Sequence, residues 1–130
     1  MTVTELWRFP VPPTALLNDP NFAVLPRRRC ELSFSIERDD GGWKLLGLVF
    51  EGVEAFQCTC YVAALSLDQI KAYGRLVDVG ASGWLSQIQQ RLAEYSVKAK
   101  LPAPTLKHMA ICFDDGPCYE FICTGFAVTP

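Results

Sequence analysis

The stretch Cys30-Glu-Leu-Ser-Phe-Ser-Ile-Glu37 decides the fold, because apolar and polar residues alternate along it without a break. An alternation with a period of two is typical of a β-strand that has one face in a core and the other in water. The next residues, Arg38-Asp-Asp-Gly-Gly42, end in two glycines, which suit a tight reversal of the chain. Residues 43–50 are mostly apolar, so we predict that they return as the second strand of an antiparallel hairpin.

A second hairpin is predicted near the other end of the chain. Residues 106–113 and 118–128 are strand-like, and Asp114-Asp-Gly-Pro117 joins them through an Asp-Gly pair, which favours a tight turn. Between the hairpins, residues 53–61 also have a strand pattern, and Gly52 before them indicates a bulge or a turn. The sequence leaves open whether this segment and the strand before it form one bent strand or two.

Two helices are predicted between the strands. The first has the capping-box spacing Ser66-Leu-Asp-Gln69 and runs to about Tyr73, where Gly74 stops it. The second runs from Ser82 to about Lys98, and its apolar residues recur every three or four positions, as on one face of an amphipathic helix. We expect both helices to cover the same face of a sheet.

The N-terminal residues 1–28 contain more than half of the nine prolines of the chain, which disfavours a long helix or a central strand. The segment is nonetheless rich in large apolar side chains, among them Trp7, Phe9 and Phe22. We therefore predict an extended proline-rich arm that docks on the domain or on a partner chain.

The order of the elements, with strands at both ends and helices between them, predicts an α+β fold. We expect an antiparallel β-sheet of four to five strands, with the two helices packed on one face and the proline-rich arm beside it. The length of 130 residues is near the commonest size of a single domain. We therefore expect one domain, made of the arm over residues 1–28 and a core over residues 29–130.

Composition argues against several classes of function. The net charge is −2 and the sequence pI is about 5.3, so the chain offers no general attraction to nucleic acid or to an anionic membrane. No apolar run approaches the roughly 18 residues that span a bilayer, and the N-terminal residues lack the pattern of a signal peptide. We therefore expect a cytoplasmic protein that binds neither nucleic acid nor membranes.

The six cysteines lie in apolar, strand-like segments. In a reducing cytosol such residues usually act as small buried hydrophobic side chains, and we predict free structural thiols. Two alternatives stay open. Cys112 and Cys118 flank the last turn in a way that allows a disulfide, and Cys58 and Cys60 could contribute two sulfurs to a thiolate metal site. We predict no cofactor and no metal.

Titratable side chains give few signs of catalysis. His108 is the only histidine and could act as a general base, but its position within a strand is also typical of a hydrogen-bonded structural histidine. Asp114 and Asp115 could bind a divalent cation, although aspartates in turns more often bond to their own backbone. The motifs of serine nucleophiles, zinc proteases and phosphate-binding loops are absent from the sequence.

Three segments carry a resemblance to other proteins: Phe50-Glu-Gly-Val-Glu-Ala-Phe56, Ile70-Lys-Ala-Tyr-Gly-Arg-Leu-Val-Asp78 and Asp115-Gly-Pro-Cys-Tyr-Glu-Phe121. Together with the strand order, they resemble small uncharacterised bacterial proteins of this length, some of which look like immunity or accessory proteins. The resemblance covers residues 30–125 and implies no catalytic residue.

The missing catalytic motifs, the acidic charge and the aromatic residues outside the most regular elements favour a non-enzymatic protein-binding or immunity-like module. Its partner would be another protein or a second copy of the chain. The residues predicted to make the contact are Trp7, Phe9, Trp43, His108, Asp114 and Asp115. The alternative is a small-ligand-binding or enzymatic domain with a pocket between sheet and helices, containing Cys58, His108 and an aspartate of the last turn.

Overall fold

A computed structural model describes residues 3–10, 20–60, 72–113 and 117–129 of the chain. These residues form nine strands and one helix. The strands lie in two antiparallel sheets, one of five strands and one of four, and a shared apolar core contains side chains from both. The described part of the chain is therefore a mostly-β structure built in two layers.

The helix lies between the sixth and seventh strands along the chain. The elements are β1 (Thr4–Arg8), β2 (Asn21–Leu25), β3 (Arg29–Glu37), β4 (Trp43–Glu51), β5 (Ala55–Thr59), β6 (Arg75–Asp78), α1 (Gly83–Ala99), β7 (Lys107–Cys112), β8 (Cys118–Cys123) and β9 (Gly125–Thr129). In the five-stranded sheet the order is β1-β6-β7-β8-β5, and in the four-stranded sheet it is β2-β3-β4-β9. The edge strands are therefore β1 and β5 in one sheet, and β2 and β9 in the other.

Aromatic side chains fill the space between the two sheets. Phe50 of the four-stranded sheet stacks on Phe121 of the five-stranded sheet, with the ring centroids 3.9 Å apart. In the same layer, the rings of Phe34 and Phe113 meet edge to face at 5.5 Å. Burying each phenylalanine side chain contributes about 1.5–3 kcal/mol to folding. The alternation seen in the sequence around Phe34 thus selects which side chains enter the core.

Three elements predicted from the sequence are confirmed. β3 and β4 form the hairpin around residues 38–42. β7 and β8 pair as the last hairpin, although residues 114–116 of its turn lie outside the described residues. The single strand predicted over residues 118–128 is wrong, because the chain leaves β8 at Thr124 and continues as β9 in the other sheet. The second predicted helix is α1, and its N-cap Ser82 accepts a hydrogen bond from the backbone N–H of Leu85, as an N-cap side chain does.

Gly52 separates β4 from β5, so the segment that follows the first hairpin is two strands. Its φ of +60° is a left-handed conformation that glycine adopts without steric cost. The side chain of Thr124 lies so close that a Cβ added at Gly52 would overlap it. At this glycine the chain leaves the four-stranded sheet after Glu51 and enters the five-stranded sheet at Ala55.

The predicted α+β class is wrong. There are two sheets where one was expected, and among the described residues one helix where two were expected to cover a sheet. Most of the first predicted helix falls in residues 61–71, outside the described residues, but Tyr73 at its end forms a β-bridge with Cys112. The strand β6 follows, and its consecutive residues Leu76 and Val77, which point to opposite faces of the sheet, are both fully buried. A strand covered on both faces has no alternation for the sequence to show.

The proline-rich N-terminal segment is not an arm beside a sheet, because it supplies one strand to each sheet. β1 pairs with β6, and β2 pairs with β3. Both are edge strands, where proline nearby does not interrupt a ladder on two sides. Phe9, just after β1, lies in the core with its ring 5.1 Å from that of Phe34 and 5.4 Å from that of Phe113. The single domain over residues 1–130 stays a prediction.

The helix α1 contacts the five-stranded sheet on the face turned away from the core. Its Gln89 accepts a hydrogen bond from the backbone N–H of Leu106 at 2.9 Å and donates one to the carbonyl of Pro104 at 3.1 Å. These bonds tie the helix to the chain that leads into β7. α1 does not have the length and apolar character that crossing a membrane requires, and it is the one helix of the described residues. The cytoplasmic location stays a prediction.

Candidate functional site

Of the predicted binding residues, the structure places two in or against the core and leaves two outside the described residues. Phe9 is 5% exposed, and the half-buried Trp7 packs against it with the ring centroids 5.4 Å apart. Side chains held in this way have little surface left for a partner. Asp114 and Asp115 lie outside the described residues, so their role stays a prediction.

His108 is the centre of a chain of hydrogen bonds on the outer face of the five-stranded sheet. Its Nδ1 lies 2.8 Å from Oγ of Ser82, and its Nε2 lies 2.8 Å from Oε1 of Glu120. Nε2 of Gln57 donates to the second carboxylate oxygen of Glu120 at 2.6 Å. A neutral imidazole satisfies this chain, because its Nε2–H donates to the carboxylate while its Nδ1 accepts from the hydroxyl.

The register of three strands brings these side chains together. Gln57 on β5 lies directly opposite Glu120 on β8, and His108 on β7 is the diagonal neighbour of Glu120 on the same face. The ring of Trp84 on α1 meets the imidazole edge to face at 5.3 Å. His108 and Glu120 are each 5% exposed, so an unpaired group here would be costly. All buried side-chain nitrogen and oxygen atoms of the described residues have a hydrogen-bond partner.

The charge state of Glu120 follows from its partners. Burial raises the pKa of its carboxyl, but the hydrogen bonds from His108 and Gln57 outweigh burial and bring the pKa below its ordinary value of 4.5. Serine, histidine and a carboxylate are the residue types of a nucleophile relay. However, Oγ of Ser82 already accepts the N–H of Leu85 as the N-cap of α1. We interpret the chain as a structural connection between the sheet and the start of the helix.

Cys58, a pocket residue of the alternative hypothesis, lies on the opposite face of the five-stranded sheet from His108. It pairs with Tyr119, whose side chain belongs to the core between the sheets, whereas His108 pairs with Ile122 on the outer face. Partial burial, and then the neighbouring Cys60, raise the pKa of the Cys58 thiol, which favours the less reactive protonated form. The structure therefore does not bring this thiol and the imidazole together.

The prediction of free, buried structural thiols is wrong for Cys112 and Cys118, which are bonded to each other, and for Cys58 and Cys60, which are free but exposed. Cys112 and Cys118 lie directly opposite each other on β7 and β8, with Cα atoms 4.1 Å apart, and form a disulfide. The prediction relied on the expected compartment, but cross-strand pairing next to a tight turn brings the two sulfurs together in any compartment. Cys30 and Cys123 are buried free thiols as predicted, and burial raises the pKa of Cys123 to about 12. Within the described ranges, the structure contains no group of three or more acidic, histidine or cysteine side chains that could hold a metal ion.

Trp43 and Leu45 form the candidate binding site on the outer face of the four-stranded sheet. In β4, Leu46 and Leu48 face the core, so the alternate positions face outward. Trp43 is 46% exposed and Leu45 is 61% exposed. Because positions two apart on a strand share a face, their side chains are about 7 Å apart. We call Trp43, Leu45 and the half-buried Val49 the β4 stripe.

Polar and acidic residues of β3 flank the β4 stripe. Glu37 lies opposite Trp43, and Glu31 lies opposite Val49, with Ser35 between the two glutamates on the same face. Neither glutamate takes part in an ion pair with any residue of the described ranges. The face therefore combines an apolar centre with a negatively charged side.

Trp43 was among the residues predicted from the sequence, but Leu45 was missed. The apolar run over residues 45–50 hides the alternation, because neighbouring positions of both faces are apolar. A signal was nonetheless present in the hairpin. Once Phe34 is assigned to the core, its pairing with Leu46 across the turn places Leu45 on the outer face beside Trp43.

No protein-family model, curated protein or solved structure gives a significant match to the chain. The geometry of the described residues therefore has to carry any functional conclusion. That geometry defines an antiparallel two-sheet β protein with an apolar stripe exposed on one outer face.

Proposed function

We propose that this chain is a non-enzymatic protein-binding module, and that the β4 stripe with its acidic side forms the surface that contacts the partner. The observation that supports this most is the exposure of Trp43 and Leu45, at 46% and 61%, side by side on one sheet face. Contiguous exposed apolar surface is uncommon on proteins that have no partner, and tryptophan is enriched among the residues that dominate binding energy. The immunity-like role expected from the sequence is the special case in which the partner is a toxin.

The charges beside the stripe define the chemistry of the partner. Glu31 and Glu37 are unpaired among the described residues and lie next to the apolar centre. A complementary surface has an apolar depression that receives Trp43 and basic side chains at its rim. A partner with an acidic rim would be repelled, which gives the surface selectivity.

Site-specific cross-linking tests this proposal. A photoreactive phenylalanine analogue replaces Trp43, and the protein is expressed in the organism that encodes it. The matched control carries the analogue at Tyr95, which is 62% exposed on α1. We expect a partner protein to be cross-linked from position 43 and not from position 95. High salt before irradiation should reduce the yield, because it screens the contacts of Glu31 and Glu37.

Affinity capture with two double variants supplies the second measurement. Trp43→Thr/Leu45→Thr removes the apolar surface and keeps the β propensity of the strand. It is expected to lose the cross-linked partner, whereas Tyr95→Thr/Val97→Thr should retain it. Equal recovery of that partner by the two double variants would overturn the proposal. A chain that cross-links no partner from position 43 would overturn it as well.

A further inference from the structure

A cavity of about 540 Å³ opens between β2 and β5, the edge strands of the two sheets. This volume falls within the range of about 300–1,000 Å³ that is usual for small-molecule sites. The two strands belong to different sheets and are not paired with each other, so among the described residues no strand closes the layer between the sheets along this side. The cavity shares no residue with the β4 stripe.

Two side chains at the mouth of this cavity are exposed although they occupy core-facing positions. Val24 pairs with the buried Cys30, and Phe56 pairs with the buried Phe121, so both point toward the layer between the sheets. Nevertheless Val24 is 64% exposed and Phe56 is 45% exposed. Inward-facing residues of a two-sheet protein are normally buried by the opposite sheet. Here the described residues supply apolar walls but no side chain that fills the space between them.

The neighbouring position on β2 shows what a filled opening looks like. Phe22, two residues before Val24, packs against Phe56 with the ring centroids 5.0 Å apart and against Tyr119 at 5.6 Å. Among the described residues, Phe22 therefore closes the opening between the sheets at its own level, and no side chain does so at the level of Val24. The inner end of the cavity is apolar as well, since Cys30 is 2% exposed and lines it.

Charged side chains lie at the mouth of this apolar cavity. Arg28, Arg29 and Glu54 all line it, so the mouth carries two arginines and one glutamate. Arg28 is paired with Glu54. Arg29 donates from Nε to the carbonyl of Pro26 at 3.1 Å, and it has no ion-pair partner within the described ranges. One positive charge at the mouth is therefore left unbalanced.

The backbone of the turn between β2 and β3 fixes the position of Arg28 at the mouth. Arg27 and Arg28 have φ angles of +65° and +57°, a left-handed conformation that is unfavourable for residues other than glycine. The carbonyl of Arg28 accepts a hydrogen bond from the N–H of Val53 at 2.8 Å, which fixes the turn to the wall of the cavity. Two arginines thus stand in a turn where glycine would be easier to accommodate.

We propose that this cavity binds an amphipathic organic anion, specifically a carboxylate with an aliphatic chain. The chain lies between Val24 and Phe56 and reaches toward Cys30, and the carboxylate meets the guanidinium groups of Arg28 and Arg29. Guanidinium groups bind carboxylates with two parallel hydrogen bonds, which suits them to this head group. A neutral ligand would gain the apolar contacts alone.

Calorimetric titration with dodecanoate, below its aggregation concentration, tests the proposal on the full chain. We expect saturable binding of one molecule. Val24→Trp places a large side chain in the space between β2 and β5. It should weaken binding at least about tenfold, a loss equal to 1.4 kcal/mol. Its matched control is Val97→Trp on α1, where the side chain is 78% exposed and the same residue is introduced away from the cavity.

A second variant separates the head group from the chain. Arg28→Gly removes a positive charge and leaves Glu54 unpaired at the mouth, while glycine adopts the left-handed φ readily and keeps the turn folded. It should weaken dodecanoate binding about threefold, as expected for a partly exposed charge pair. Binding of dodecanol, which has the same chain without the charge, should be weaker in the wild type and unchanged by this variant.

Photolabelling gives a third measurement, which locates the bound ligand in the chain. The wild type can also be irradiated with a dodecanoate that carries a photoreactive diazirine, which should label the peptides around Val24 and Phe56. Labelling elsewhere, equal binding by Val24→Trp and Val97→Trp, or dodecanol binding as tight as dodecanoate binding would each overturn it. The test is independent of the protein-binding proposal, because Trp43→Thr/Leu45→Thr should leave dodecanoate binding unchanged.

Discussion

The two outer faces of this protein reverse the usual distribution of polar and apolar side chains. On the five-stranded sheet, His108 and Glu120 are buried and hydrogen-bonded. On the four-stranded sheet, Trp43 and Leu45 stand in water, 46% and 61% exposed. Scattered exposed apolar residues are normal on a protein surface, so the informative cases are a buried polar pair and a contiguous exposed apolar pair. On the five-stranded sheet the polar groups connect the outer face to helix α1. On the four-stranded sheet the outer face leaves apolar side chains in water, and there we propose that a partner binds.

The largest expected effect comes from breaking the buried pair. Glu120→Ala leaves the buried imidazole of His108 without its acceptor, and the exposed amide of Gln57 loses its partner as well. We expect a loss of about 2–4 kcal/mol in the free energy of unfolding, measured by urea denaturation. Glu37→Ala on the exposed face is the matched control and should change it by no more than about 0.5 kcal/mol. Equal losses in the two variants would remove the distinction between the faces.

The pH dependence of stability sharpens the same contrast. Despite burial, the bonds from His108 and Gln57 lower the pKa of Glu120 in the folded protein below the ordinary value of 4.5. The corresponding stabilisation is fully present above the unfolded value and is lost as the pH falls through the folded value. The wild type should therefore lose stability steeply below about pH 4.5. Glu120→Ala should show a shallower loss in urea titrations over the same range, and a curve as steep as that of the wild type would contradict this assignment.

A smaller effect is expected where the helix joins the buried network. Ser82→Ala removes both the N-cap of α1 and the hydroxyl that bonds to His108. Loss of an N-cap costs about 1 kcal/mol, and thermal unfolding followed by circular dichroism should show it. Ser86→Ala, in the first turn of the same helix but exposed, should leave the melting temperature unchanged. A similar drop in both variants would mean that Ser82 matters only as a helical residue.

The smallest effect on stability is expected on the exposed face. Trp43→Thr/Leu45→Thr should change the free energy of unfolding by no more than about 0.5 kcal/mol, because both side chains already contact water. Urea denaturation measures this on the same scale as Glu120→Ala. A loss above about 2 kcal/mol would show that the β4 stripe is part of the folded core, and the stripe would no longer qualify as a binding surface.

The elements that could be predicted from the sequence are those that depend on local pattern. The hairpin of β3 and β4 shows alternation and a glycine turn, and α1 has its serine cap and its apolar stripe. Leu76 and Val77 of β6 are buried on both faces, so their strand has no period to detect. β1 and β2 are short edge strands near prolines, and their partners are known only once the sheets are assembled.

The candidate sites follow the same rule. The last hairpin, read from its turn, already places His108 diagonally across from Glu120, so this pair could have been found. Ser82 and Gln57 belong to other elements, and nothing in the local sequence connects them with the imidazole. The cavity beside Val24 lies between edge strands of two different sheets. The pattern within one strand does not predict how those two edges are placed relative to each other.

The pairing of β1 with β6 has a consequence for how the protein is made. Thr4 lies opposite Asp78, whereas β2, β3 and β4 pair with their successive neighbours in the chain. On the ribosome the three consecutive strands have partners as soon as they emerge, but β1 has none until Asp78 has been translated. The core contacts of Phe9 are completed later still, because one of them is with Phe113, which is translated after Asp78. Among the described strands, β1 is thus sheltered later than β2, β3 and β4, and the nascent chain carries an open strand edge until β6 has been synthesised.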